Sequence, residues 1–215
     1  MRSQQSGFTL VEIAIVLVII GLLLGGILKG QELINSAKVK NLANDFRVIP
    51  TYIYAYQDKY RAIPGDQPQA NLDAQFPPNG TATAGTGGTL GNGRIEGAWD
   101  AASGSESAVF WQHIRLANLA AGPTVIADPN YQPRNSVGGV LGVTSGAVIT
   151  GMTGTYSLCS AGILGSFVKQ LDLQMDDGNT ATGSLRVTKT ATAPATAEAT
   201  TAIVDSDTYV VCMMI

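Results

Sequence analysis

Glu12 is the one charged side chain in the 21 residues from Phe8 to Leu28, FTLVEIAIVLVIIGLLLGGIL. Such a run is long enough to cross a bilayer core as a helix, which takes roughly 20 apolar residues. A carboxylate inside it costs on the order of 2.5–3.5 kcal/mol on insertion scales, so it calls for a partner. Nothing in the run is a cation. One covalent step would create one: cleavage after Gly7 would free the α-amine of Phe8, whose reference pKa of about 7.7–8.0 keeps it largely protonated at neutral pH. Glu12 lies four residues further on, about one helical turn, within reach of that amine or of the same amine on a neighbouring chain. In a low-dielectric setting such a pair is far stronger than on a protein surface.

The rest of the chain offers little other chemistry. His113 is the only histidine, which nearly excludes Ser–His–Asp, Cys–His and multi-histidine zinc arrangements. It reads as a partly exposed residue on a helix. Asp176-Asp177-Gly178 reads as a helix end and turn, with calcium as the sharper alternative. Asp66 and Asn92, the latter in Asn92-Gly93-Arg94-Ile95-Glu96, are weaker calcium candidates, because their spacing does not match an EF-hand. The Gly-rich stretch Thr86–Gly93 lacks the Lys-Ser/Thr ending of a phosphate loop. Tyr52, Tyr54, Tyr56 and Tyr60 read as packing residues. No catalytic group, resident metal or cofactor emerges.

Gly7-Phe8-Thr9-Leu10-Val11-Glu12, the short leader Met1–Gly7 and the apolar helix behind it together resemble the prepilin processing site. This is the amino-terminal signature of type IV pilins and of the pseudopilins of type II secretion, and the likeness extends from Gly7 to about Tyr60. It implies cleavage at Gly7–Phe8 and N-methylation of Phe8 by a prepilin peptidase, and an inner-membrane assembly platform. It also implies polymerisation with identical subunits into a helical filament. The implied fold is α+β: a long amino-terminal helix, membrane-spanning in its first half and amphipathic in its second, packed on a small antiparallel-sheet head. A secretory signal peptide fits less well, because the apolar run is longer than about 7–15 residues and no small-residue cleavage pattern follows Leu28. A plain membrane anchor leaves Glu12 without a purpose. Two other functions remain open at this point, a pseudopilin or minor pilin and a membrane-tethered periplasmic binding protein or enzyme.

Length and composition agree with that plan. The 215 residues suit a leader (1–7), a membrane helix (8–28), an amphipathic continuation (29–61) and a head (62–215). Charged residues make up only 13% and the net charge is −3. Removing Arg2 with the leader leaves 12 basic against 16 acidic side chains, or −4, so there is no basic face for nucleic acid. Arg2 before the run places the leader in the cytoplasm and the head outside, with Lys29 mildly opposing. Cys159 and Cys212 then lie in an oxidising compartment and are most simply a disulfide, two buried thiols being the other reading.

The helical pattern does not stop at Leu28. Leu33, Ala37, Leu42, Phe46, Ile49 and Ile53 fall at i, i+3/i+4 spacing among charged residues, predicting an amphipathic helix to about Tyr60 and a total length of roughly 80 Å. Pro50 is expected to kink it. Gly21-x-x-x-Gly25 and Gly26-x-x-x-Gly30 have the small-residue spacing that lets membrane helices approach closely. Ala70–Gly97 reads as loop, and Ser103-x-x-Glu106 as a capping box opening a helix to about Ala121. Thr124–Ala127, Gly139–Val143, Ala147–Thr150, Thr155–Cys159, Ser184–Thr188 and Thr208–Met213 are β-prone, with a helix over Leu164–Met175. Lys189–Thr201, rich in Thr and Ala, reads as an exposed loop.

Overall fold

The computed structural model describes residues 9–78 and 81–215, so Gly7 and Phe8 lie outside the described residues. Helix α1 (Leu10–Tyr60) continues through Pro50, and the chain divides into two compact units after Lys38. The second unit, from Val39, holds the rest of α1, helices α2 (Gln69–Gln75), α3 (Glu106–Leu116) and α4 (Gly165–Met175), and one four-stranded sheet. The fold is α+β, a long apolar helix with a small antiparallel sheet.

Strands β1 (Leu141–Ser145), β2 (Tyr156–Leu164), β3 (Leu185–Thr188) and β4 (Thr208–Met214) lie in the order β1-β2-β4-β3, every neighbour antiparallel. Ser160 pairs with Val211 but Ile163 with Tyr209, so β2 carries an extra residue there. Gly162 takes φ +71° within this bulge, a left-handed conformation that costs glycine little.

Alternation along the strands sends side chains to opposite faces, and both faces are buried. Leu158, Val211, Val187 and Tyr209 belong to the main core with Leu42, Phe46, Ile49, Ile53 and Tyr56 of α1, Phe110 and Ile114 of α3, and Phe167, Val168 and Leu171 of α4. Each large apolar side chain so buried stabilises the fold by about 1.5–3 kcal/mol. The stripe on α1 starts its burial at Val39; Leu33, predicted to belong to it, is 63% exposed. Cys159, Val210, Cys212 and Met214 form a second core with Trp99, Val148, Ile149, Met152 and Ala195. Cys159 and Cys212 face each other across β2 and β4 and are joined by a disulfide.

Several local expectations give way. Helix α3 begins at Glu106 with Ser105 as its cap, the side chain accepting from the Ala108 N–H, and it ends at Leu116 rather than near Ala121. Ser103 is not the cap, because Glu106 turns instead to the Glu96 N–H. Thr124–Ala127 forms turns, not a strand, and Ala147–Thr150 makes only a single bridge, Ile149 to Ala195. The supposedly exposed loop after Lys189 is the lid of the second core: Ala195 is buried and the Ala191 carbonyl accepts from Trp99 Nε1. A sheet apolar on both faces requires such a cover. The predicted loop Ala70–Gly97 opens instead as helix α2, entered from Pro68, and its Leu72 is fully buried.

Candidate functional site

The start of α1 holds the one acid of the apolar run. Glu12 Oε2 accepts from both the N–H and the hydroxyl of Thr9, each at 2.8 Å, while Thr9 Oγ1 accepts from the Glu12 N–H at 3.2 Å. This is a reciprocal capping box: helices leave their first N–H groups without intrahelical partners, and Thr-x-x-Glu satisfies two of them. Thr9 joins the site through the Thr9-x-x-Glu12 spacing, a capping-box signal that the sequence carries beside its unpaired acid. The box fixes the carboxylate at the helix entrance, within the first turn, where a negative charge also meets the positive end of the helix dipole.

From Ile13 to Leu28 the helix is apolar on every side, and its large side chains are exposed among the described residues. Leu10, Leu17, Leu22 and Leu28 are all well over half exposed. A helix that is hydrophobic all round belongs in lipid or among other apolar helices. A methyl group added at Gly21, Gly25, Gly26 or Gly30 would meet no atom within 4 Å outside the helix itself. Among the described residues the four glycines therefore make no close packing contact outside the helix. Lys29 and Glu32 follow as an exposed ion pair at 2.6 Å, a geometry worth about 1 kcal/mol at most.

In the second unit several acids hold loops in place. Asp66 is almost fully buried and accepts from the backbone N–H groups of Gly91, Asn92 and Gly93, the last at 2.7 Å. Asn92 caps the Arg94 N–H through its side-chain oxygen. These calcium candidates thus meet, but as a carboxylate already saturated by amides. Glu106 accepts from the Glu96 N–H at 2.8 Å; burial first, then the Asp66 and Glu96 charges, push its carboxyl upward against that hydrogen bond. The Gly-rich stretch is therefore a shaped loop tied down at its acids. Asp176 and Asp177 sit after α4, where the structure adds Asp172 to them.

His113 is fully buried, not partly exposed, because α3 is enclosed on nearly all sides. Its Nδ1 accepts from the Gly65 N–H at 2.9 Å, which leaves Nε2 protonated to donate to the Thr83 carbonyl at 3.0 Å. Burial pulls its pKa from 6.5 down to about 4. The folded ring stays neutral while the unfolded one takes a proton, so this contribution is whole above pH 6.5 and is lost as pH falls towards 4. The expected loss is about 3 kcal/mol. Denaturant melts of the wild type and His113→Gln at pH 7 and pH 4 check it: the gap between them should shrink by that amount on acidification. The raised carboxyls of Asp45 and Glu106 act in the opposite sense in both proteins and cancel in the comparison.

A groove of about 370 Å³ is lined by Trp99, Asp100, Thr144, Val148 and Ala193 among others. Asp100 is its single ionisable side chain, so no acid–base pair converges there. Among known proteins, residues 2–28 match the family model described as the prokaryotic N-terminal methylation motif. Neither the curated proteins nor the solved structures contain a match to the chain. With the capped acid and the all-round apolar run both inside that match, the chain carries the amino-terminal signature of the type IV pilins and pseudopilins.

Proposed function

We propose that this chain is a structural, non-enzymatic subunit of a type IV pilus-like filament, cut at Gly7–Phe8, methylated on Phe8 and polymerised through α1. The observation that carries this reading is the bare apolar half of α1, with one acid held at its entrance within a methylation motif. Before assembly the subunit is a single-pass protein of the inner membrane, residues 8–28 in lipid, with the amphipathic continuation from 29 and the head from 62 in the periplasm. The prepilin peptidase processes it, and the assembly platform extracts it into an extracellular or periplasmic filament. Glu12 of an incoming subunit neutralises the Phe8 amine of one already in the fibre, and methylation leaves that amine basic. Gly21, Gly25, Gly26 and Gly30 give close approach to neighbouring helices, since small residues let helix backbones meet.

The intact mass of protein purified from its native membrane tests the processing: loss of Met1–Gly7 and gain of one methyl group are expected. Replacement of Gly7 by arginine puts a long charged side chain where the peptidase must reach bare backbone. Gly7→Arg protein should keep its leader and remain in the membrane; mature Phe8 in that material refutes the assignment. Long surface fibres from cells that overproduce the chain mark a major subunit, and short ones a pseudopilin or minor subunit.

A further inference from the structure

We propose that Asp172, Asp176 and Asp177 form a site for one divalent cation, calcium by the hardness of its oxygen donors, where α4 gives way to the loop before β3. One carboxylate oxygen from each lies within 4.8 Å of the other two. Calcium holds its ligands at roughly 2.3–2.6 Å, so oxygens on opposite sides of one ion stand about 5 Å apart. The spread of the three acids is that of a single coordination sphere.

Asp172 supplies the independent reason. It is 0% exposed, and neither of its oxygens accepts a hydrogen bond of ordinary geometry. A buried carboxylate normally collects donors, as Asp66 does with three amides. Around Asp172 stand the Gly178 amide and the like charges of Asp176 and Asp177. Among the described residues no Lys or Arg makes an ion pair with any of the three acids, and Arg186 acts on Asp177 only at longer range.

The position makes the charge more awkward still. A helix C-terminus carries partial negative charge and favours cations, yet the last turn of α4 contains no basic residue. The acids instead gather there, a conflict that a bound cation resolves. Their carboxylates are also aimed. Asp176 accepts from the Leu185 N–H at 2.8 Å, and Asp177 from the Asn179 N–H at 2.8 Å and the Thr182 hydroxyl at 2.6 Å. Asp177 is exposed, which leaves a solvent path for the ion and for the waters that complete its shell.

The inference is independent of the filament reading, and the test uses the full chain in detergent, stripped with EDTA and titrated with calcium chloride. Calorimetry should give a Kd on the order of 0.1–1 mM. At about a hundredfold excess over Kd, Tm should rise by about 5–10 °C. Asp177→Asn keeps an oxygen for the Asn179 N–H, so its metal-free Tm should stay close to that of the wild type while calcium binding weakens at least about tenfold. Asp172→Asn should lose the calcium response and, with a buried charge removed, melt no lower without metal. The absence of a rise with calcium overturns the proposal, as does an equal rise with sodium chloride at matched ionic strength. An undiminished calcium response in both variants overturns it too.

Discussion

Replacing Glu12 with valine is expected to leave cleavage at Gly7–Phe8 intact and to abolish filaments. The carboxylate costs about 2.5–3.5 kcal/mol in the membrane core, and on the proposed reading that cost is recovered when the amine of a neighbouring Phe8 meets it. A term of about 3 kcal/mol per added subunit corresponds to roughly a hundredfold in the equilibrium for addition. Glu12 has a second duty, however, because it closes the capping box with Thr9. Loss of a cap is worth about 1 kcal/mol of helix stability, so valine alone does not separate the two effects. Glutamine does. It still reaches back to the Thr9 N–H, since Gln serves as well as Glu in a capping box, but it brings no charge. Glu12→Gln should therefore fail in assembly as completely as Glu12→Val, and Thr9→Val, which weakens only the cap, should still make fibres. Electron microscopy of sheared surface material, with blotting for mature subunit in the membrane, reads all three. Wild-type fibre yield from Glu12→Gln would leave Glu12 as a capping residue and remove the charge-pairing argument.

What the sequence disclosed, and what it withheld, follows from the range of each signal. The apolar run and its lone acid are local and extreme, so α1 was legible nearly to its last residue. Helix α4 and strands β2, β3 and β4 were foreshadowed by periodicity because each owes its pattern to one buried face or to an alternation. The misses depend on neighbours far along the chain. Ala147–Thr150 has the composition of a strand, yet β1 already pairs with β2 and only Ile149 finds a partner, Ala195. His113 looks like a helix-surface residue until Gly65 and Thr83, far upstream, fold over it. Leu33 fits the stripe by spacing, but the second unit does not begin until Val39. Asp172 is hidden for a different reason: one acid in an amphipathic helix looks solvated, and its burial beside Asp176 and Asp177 exists only in the folded chain.

Removing the disulfide is expected to produce the largest loss of stability in the head. Cys159 and Cys212 close a loop with a sequence separation of 53, for which chain entropy in the unfolded state gives about 4 kcal/mol. Their place in the sheet adds to its importance. The two central strands, β2 and β4, meet at this pair, and immediately beyond it β2 bulges. The face they share is covered not by a helix but by Trp99, by the segment around Val148 and Ile149, and by the loop holding Ala195. Such a cover is held by few backbone bonds, Ala195 N–H to the Val148 carbonyl and Thr150 N–H to the Ala195 carbonyl among them. The bridge beneath it restrains the strands on which that cover rests. In the variant Cys159→Ala/Cys212→Ala, alanine avoids burying an unpaired hydroxyl, which a serine would do at a further cost of about 1–3 kcal/mol. Its Tm should fall by about 8–15 °C in the full chain in detergent. Hydrogen exchange should locate the damage: amides of Thr150 and Ala195 should lose protection before those of α3, since local opening starts where buried contacts are fewest. A double variant that melts with the wild type, with the second core still protected, would show that the loop cover and the sheet ladder hold this face without the bridge.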